Sequence, residues 1–252
     1  MRSFFLISLM LIFSFKANSK IILIDPGHGG SENGAIGQEI ILNKVKRKIL
    51  EKEIAFIMAK KIQEKLSGKY QVYLTRSFDK TMSLESRSSL AQKLGADIFI
   101  SIHANASKSE NSNGFETFYL DNNDNEAVKK VVRLENHEKT NVLEANYSEN
   151  PMIHQILSEL VVGKTVPLSR ELGIAIHQSV KAKIEKNHLM KDRGLKPGLF
   201  FVLAMSKVPG VLLEMGFISN KKEAKKIHTD KFLNDYSEAV AIGIDNFLSN
   251  KL

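Results

Sequence analysis

The sequence predicts a single α/β domain. It is expected to hold a twisted, mostly parallel or mixed sheet flanked by helices, with a helical insertion near the face that carries the site. Three observations predict this. Short, wholly apolar runs such as Ile21-Ile22-Leu23-Ile24 and Ile98-Phe99-Ile100 have the length of buried strands. Segments of helical period separate them, an alternation that implies a sheet between helices. The chain has 252 residues, 43% of them hydrophobic and 25% charged, which suffices for one core and argues against disorder.

The elements follow in order. Arg2 is a short cationic start, Phe4 to Phe15 is apolar and uncharged, and Ala17 and Ser19 are small. This is the pattern of a signal peptide, too short to span a bilayer comfortably. Residues 1–19 are therefore expected to be cleaved, leaving 20–252 as the mature domain without a stable membrane anchor. The first strand runs from Ile21 into Asp25, and Pro26 to Gly37 is a Gly-rich loop. Ile54, Ile57, Met58, Ile62 and Leu66 repeat with helical spacing between Glu51 and Ser67. Tyr70 to Thr75 reads as a strand, Ser83 to Leu94 as a helix ended by Gly95, and Asp97 to His103 as a second buried strand. Phe115 to Leu120 alternates like a further strand. From about 121 to 187 the chain is polar, then helical, over Ile153 to Leu160 and Pro167 to Ile184, and this stretch is the expected insertion. The core resumes at Phe200 to Leu203 and Val211 to Glu214, and Asn234 to Leu248 forms a last amphipathic helix.

Composition limits the chemistry. The net charge of +8 favours an anionic polymer but does not choose among nucleic acid, acidic lipid and cell wall. No nucleic-acid motif is present, and a nucleic-acid partner is not expected. With no cysteine, any metal must be held by His, Asp or Glu.

Two histidines stand just after apolar strands: His28 in Asp25-Pro26-Gly27-His28-Gly29-Gly30 and His103 in Ser101-Ile102-His103-Ala104-Asn105. Open α/β sheets keep their ligands at this carboxyl edge. Two His and one carboxylate make a standard zinc set that leaves a position for water. Glu51 and Glu53 both start the first helix, and position alone does not separate them. Glu214 closes an apolar strand, where a lone Glu is unusual, and there it is suited to general acid–base work. His137, His154, His177, His188 and His228 lie in polar or helical stretches and read as surface or structural residues.

The ordered motifs resemble a known family. They are Ile24-Asp25-Pro26-Gly27-His28-Gly29-Gly30, Glu51-Lys52-Glu53-Ile54, Thr75-Arg76, Leu84 with Arg87, Ala96 to Asn105, Arg193-Gly194 and Leu213 to Asn220. Together they are similar to the zinc-dependent N-acetylmuramoyl-L-alanine amidases of the cell-wall-splitting, division-associated type. The resemblance covers nearly all of the expected mature chain. It implies one zinc held by His28, Glu51 and His103, with Glu51 chosen because it precedes the lysine of the motif. It implies Glu214 as the catalytic glutamate and marks Asn105 and Arg193 as substrate-binding candidates. The implied reaction is hydrolysis of the amide between N-acetylmuramic acid and the L-alanine of the peptidoglycan stem peptide, in the periplasm or at the wall.

Division-associated members carry a helix that covers the site until an activator, here expected to be of the LytM-domain type, removes it. Arg133-Leu134-Glu135-Asn136 resembles the start of that helix, so Glu135 is the candidate inhibitory ligand. The spacing from His28 to Glu51 is longer than the family pattern, and the extra Lys44 to Lys48 segment is expected to be an exposed loop. Two other functions remain in view: a zinc peptidase cutting within the stem peptide, and a non-catalytic wall-binding protein on an amidase scaffold.

Overall fold

Two strands buried along their whole length, 98–105 and 210–217, set the centre of the sheet, because a strand buried on both faces must sit between other strands. The computed structural model describes residues 19–42, 44–121, 125–136, 165–188 and 190–250. The elements are β1 Ile21–Pro26, β2 Ile36–Leu42, β3 Val45–Leu50, α1 Glu51–Leu66, β4 Gln71–Leu74, α2 Leu84–Leu94, β5 Ile98–Asn105 and β6 Phe115–Leu120. They continue as α3 Glu126–Asn136, α4 Thr165–His188, β7 Asp192–Gly198, α5 Phe201–Ser206, β8 Gly210–Phe217, α6 Lys221–Ile227 and α7 Asp230–Ser249. The main sheet is six-stranded in the order β4-β1-β5-β8-β6-β7. It is parallel from β4 to β8, and β6 runs antiparallel to β8. This is the expected α/β domain with a mixed sheet between helices.

Side-chain alternation divides the core in two. Ile22, Ile24, Ile100 and Leu213 face α1, α4 and α7, where Ile54, Met58, Ile176, Val180, Phe232 and Ile244 are buried. Leu23, Phe99, Phe118 and Leu212 face α2 and α5, where Leu84, Ala91, Phe201 and Leu203 complete a second cluster. Caps set the bounds of α2: Ser83 Oγ accepts from Ser86 N, and Gly95 adopts the left-handed conformation at φ 62°.

Three segments differ from the sequence expectation. The Lys44 to Lys48 segment is a β-hairpin of β2 and β3 rather than a loop, with Leu42 paired to Val45. Ile40 and Ile49 bury the inner side of the hairpin, whereas Ile41 and Val45 are exposed. The basic residues Lys44, Lys46, Arg47 and Lys48 hid the alternation there. Lys52, at the start of α1, is tied to the preceding loop: its Nζ donates to Gly30 O at 2.7 Å and to Asp79 Oδ2 at 2.9 Å.

Within 121–187, only part lies near the site. Helix α4 is a core element, since Leu172, Ile176, Val180 and Ile184 recur every four residues and are all fully buried. Ile153 to Leu160 lies outside the described residues. The third difference is β7, Asp-Arg-Gly-Leu-Lys-Pro-Gly, which has no apolar alternation. Among the described residues it is an edge strand paired with β6, where Pro197 is tolerated.

The expected signal segment up to residue 18 lies outside the described residues. Among the described residues no helix is long and apolar enough to cross a membrane.

Candidate metal centre

β1 and β5 are adjacent and parallel, so both end at one edge. His28 follows β1 in a left-handed backbone conformation at φ 56°, rare for a non-glycine residue. A buried polar network holds it there. Asp25 accepts from Thr75 Oγ1 at 2.6 Å, Arg87 Nη1 at 2.9 Å and Ser101 Oγ at 3.0 Å. Arg87 Nη2 donates onward to His28 O at 2.7 Å. Arg76 donates to Pro26 O, Gly27 O and Lys52 O, tying the loop to the start of α1. Burial alone would raise the Asp25 pKa; the Arg87 charge and the hydrogen bonds from Thr75 and Arg87 outweigh this and hold it below its ordinary value.

Glu51 is the first residue of α1 and is buried. Its Oε2 accepts from Ala35 N at 2.7 Å and its Oε1 from Ala104 N at 3.1 Å. The same carboxylate lies 2.9 Å from His103 Nδ1 and 3.2 Å from His28 Nε2. Glu53 turns away and pairs with Arg47 at 3.1 Å. Glu135, near the end of α3, reaches the same point: its Oε2 is 2.9 Å from His103 Nδ1 and 3.4 Å from His28 Nε2.

These four residues each offer one donor atom, and all four atoms lie within 4.8 Å of one another. A tetrahedral zinc with bonds of about 2.0–2.2 Å separates its ligand atoms by roughly 3.3–3.6 Å, so the donors have the right type and spacing. Electrostatics agree. Burial would lower the histidine pKa values, yet Glu51 and Glu135 reverse that, pushing His28 up to about 10 and His103 well above 6.5. Glu51 is held well below the carboxylate range despite its burial, by His28 and His103. The pocket therefore favours added positive charge, whether as protons or as a cation. Close packing shapes it: a Cβ on Gly27 would meet the His103 ring at 2.4 Å, and one on Gly34 would meet Glu51 Oε2 and His28 Cδ2 at 2.5 Å.

Glu214 pairs in register with His103 across β5 and β8. It is 1% exposed, and among the described residues neither carboxylate oxygen has a hydrogen-bond partner. Burial raises its pKa well above the ordinary value and Glu135 raises it further; His103 opposes this, and Glu51 and Glu116 add smaller upward effects.

Sequence reasoning missed Glu116, which pairs in register with Glu214 on the other side. Glu116 is buried, accepts from Asn105 Nδ2 at 2.7 Å, and is bound by Lys196 and by Arg193 Nε at 3.3 Å. A lone acid in the apolar strand Phe115–Leu120 was the available signal. Of the remaining histidines, His177 bonds Thr117 and Asp192, His188 bonds Asp235, and His228 bonds Ala224 O. His137 and His154 lie outside the described residues.

Comparison with known proteins shows the family of the chain. A family model described as N-acetylmuramoyl-L-alanine amidase matches residues 22–246. N-acetylmuramoyl-L-alanine amidase AmiC of Escherichia coli O6:H1 is 30% identical over 234 residues, covering 91% of this chain and 53% of that protein. AmiA of Escherichia coli K12 is 30% identical over 231 residues, covering 90% of this chain and 76% of that one. The crystal structure of an N-acetylmuramoyl-L-alanine amidase from Clostridium difficile 630 superposes with a TM-score of 0.69 at 26% identity, covering 94% of this chain and 100% of that chain. The chain thus spans about half the length of AmiC and about three quarters of AmiA. It belongs to the N-acetylmuramoyl-L-alanine amidase family.

Proposed function

We propose that the chain hydrolyses the amide joining N-acetylmuramic acid to the L-alanine of the peptidoglycan stem peptide. Besides family membership, one observation carries the reading. His28, Glu51 and His103 converge on one point, and the buried Glu214 stands in register beside them.

In this reading His28, Glu51 and His103 hold one zinc ion. When bound, zinc supplies a Lewis acid for the scissile carbonyl and brings the pKa of a water toward neutrality. Glu214 takes the proton of the attacking water and delivers it to the departing amine of L-alanine. Its burial keeps bulk water from competing for that proton. The Gly27 contact predicts a test of the ligand set. Gly27→Ala should shift the His103 ring and weaken zinc affinity by about tenfold or more, as loss of supporting contacts does. Calorimetric zinc titration measures this.

Glu135 acts as a gate. Its carboxylate lies against both histidines, at the position the substrate carbonyl or water must use. The gate is latched by Asn136, whose Nδ2 donates to Leu199 O at 3.0 Å and whose Oδ1 accepts from Phe201 N at 2.9 Å. A wall-associated activator of the LytM-domain type would displace α3, an ordinary displacement switch. Glu135→Ala should raise basal wall hydrolysis by roughly tenfold, at least, since a charge-assisted contact at a desolvated site is worth about 1.5–3 kcal/mol. Dye release from labelled peptidoglycan reads this, and an unchanged rate rejects the gate. Export through residues 1–19 to the periplasm or the wall completes the proposal, because the substrate lies outside the cytoplasmic membrane.

The deciding experiment digests peptidoglycan with the zinc-loaded chain and with Glu214→Ala, and identifies products by mass. Stem peptides beginning with L-alanine, from the first only, support the amidase. Cuts within the stem support a peptidase, and binding without cleavage by Glu135→Ala supports a wall-binding scaffold.

A further inference from the structure

We infer that Arg193 and Lys196 form a carboxylate-binding subsite for the stem peptide, with the buried Glu116 as their positioning residue. The inference rests on the reaction proposed above and adds to it the direction in which the peptide runs and the group it is read by.

The geometry begins with three paired residues. His103, Glu214 and Glu116 lie in register on the adjacent strands β5, β8 and β6, and paired residues project from the same face of a sheet. Strands are about 4.8 Å apart, so Glu116 stands roughly 10 Å from His103, with Glu214 between them. If Glu214 delivers a proton to the departing amine, that amine lies on the Glu214 side of the histidines. The rest of the stem peptide then continues in the same direction, toward β6 and β7.

Arg193 and Lys196 are what the peptide meets there. Arg193 Nε lies 3.3 Å from Glu116 Oε2, and Lys196 Nζ bonds the same oxygen. Each cation also rests on an aromatic ring: Arg193 over Phe217 at 5.0 Å and Lys196 over Phe118 at 5.7 Å. Asn105 braces the other Glu116 oxygen. Glu116 Oε2 is thus shared by two cations, with Glu223 a second acid in the field of Arg193, so it is unused donors rather than net charge that remain for a ligand. The cations remain accessible, with side chains 30% and 26% exposed, whereas Glu116 is 2% exposed. Guanidinium and ammonium groups carry five and three donors, more than this carboxylate can use.

The distance suits a carboxylate on the second stem residue. Two residues of extended chain span about 7 Å from the scissile carbonyl carbon. A charge-assisted hydrogen bond adds about 3 Å, which reaches the two cations. The ligand class is therefore a peptide whose second residue, next to L-alanine, bears a free α-carboxylate.

The test compares two muramyl dipeptides that differ only in that group, one with the free α-carboxylate and one with it amidated. Both are assayed on the zinc-loaded Glu135→Ala chain, which lacks the candidate blocking carboxylate. The acid should be favoured about tenfold in kcat/KM, mainly through KM, the low end for a charge-assisted contact at a partly exposed site. Arg193→Gln and Lys196→Gln should each reduce this preference, and the double substitution should abolish it. Glu116→Gln should raise KM for the acid more than it changes kcat. The preference is a ratio on one enzyme sample, so partial misfolding does not affect it. Equal kcat/KM for the two dipeptides before any subsite substitution, or a preference that survives the double substitution, overturns the subsite. Peptidoglycan cleavage to L-alanine stem peptides with hydrolysis of neither dipeptide overturns the subsite, whereas no cleavage of either dipeptide or of peptidoglycan overturns the reaction itself, which separates the two failures.

Discussion

Glu214→Gln is expected to lower kcat by roughly 10²- to 10⁴-fold, the range for loss of a positioned acid–base group. The same substitution should leave the melting temperature at or above that of the unsubstituted chain. Glu214 is a buried carboxylate without a hydrogen-bond partner among the described residues, beside Glu135, Glu51 and Glu116. Such a charge destabilises the fold that holds it, and a neutral isostere relieves the repulsion. Lost activity with retained or increased stability is the signature of a group kept for chemistry rather than folding. Kinetics on labelled peptidoglycan together with calorimetric melting measure both halves. A sharp fall in stability would assign Glu214 a structural role instead.

The second large effect is on stability. Asp25→Ala should destabilise the fold by about 3–5 kcal/mol, because it leaves the Arg87 guanidinium buried without its carboxylate. Both partners are about 1% exposed and 2.9 Å apart. Urea unfolding reads the loss, and a cost below about 1 kcal/mol would reject the account, since exposed ion pairs give that little. The pH dependence has a definite sign. The folded pKa of Asp25 is depressed from 3.8, so its contribution is present above that value and disappears as pH falls through the lower folded value. The gap between Asp25→Ala and the unsubstituted chain should therefore hold at neutral pH and narrow only below about pH 4. Zinc affinity should fall with it, because Arg87 carries the strain of the His28 backbone through the His28 carbonyl.

Much of the fold was legible because strand and helix periods are local properties of a chain. β1, β5 and β8 carry the apolar runs Ile21–Ile24, Ile98–Ile100 and Val211–Leu213, and α1, α2 and α7 carry clear apolar spacing. β7 and the β2–β3 hairpin were not legible, because an edge strand or an exposed ribbon is held by its neighbours rather than by its own burial pattern. Helix α4 shows the converse. Its helical period was plain, but whether it packed on the sheet or stood apart depended on α7, some fifty residues further on in the chain.

The candidate site divides in the same way. Sequence by itself determined the residue types, namely two histidines ending buried strands, a carboxylate pair opening a helix and a glutamate closing an apolar strand. The family resemblance named Glu51 and Glu135 as companions of the histidines, but only the tertiary structure brings these side chains to one point. Glu51 and Glu53 are two positions apart on α1 and so point to different sides, one to the histidines and one to Arg47. Glu135 arrives from a separate helix, and Glu116 gathers Asn105, Arg193 and Lys196 from two other strands. Sequence spacing holds no record of such convergence, because these contacts are made across the sheet, where strand order and register bring distant residues within a few ångströms.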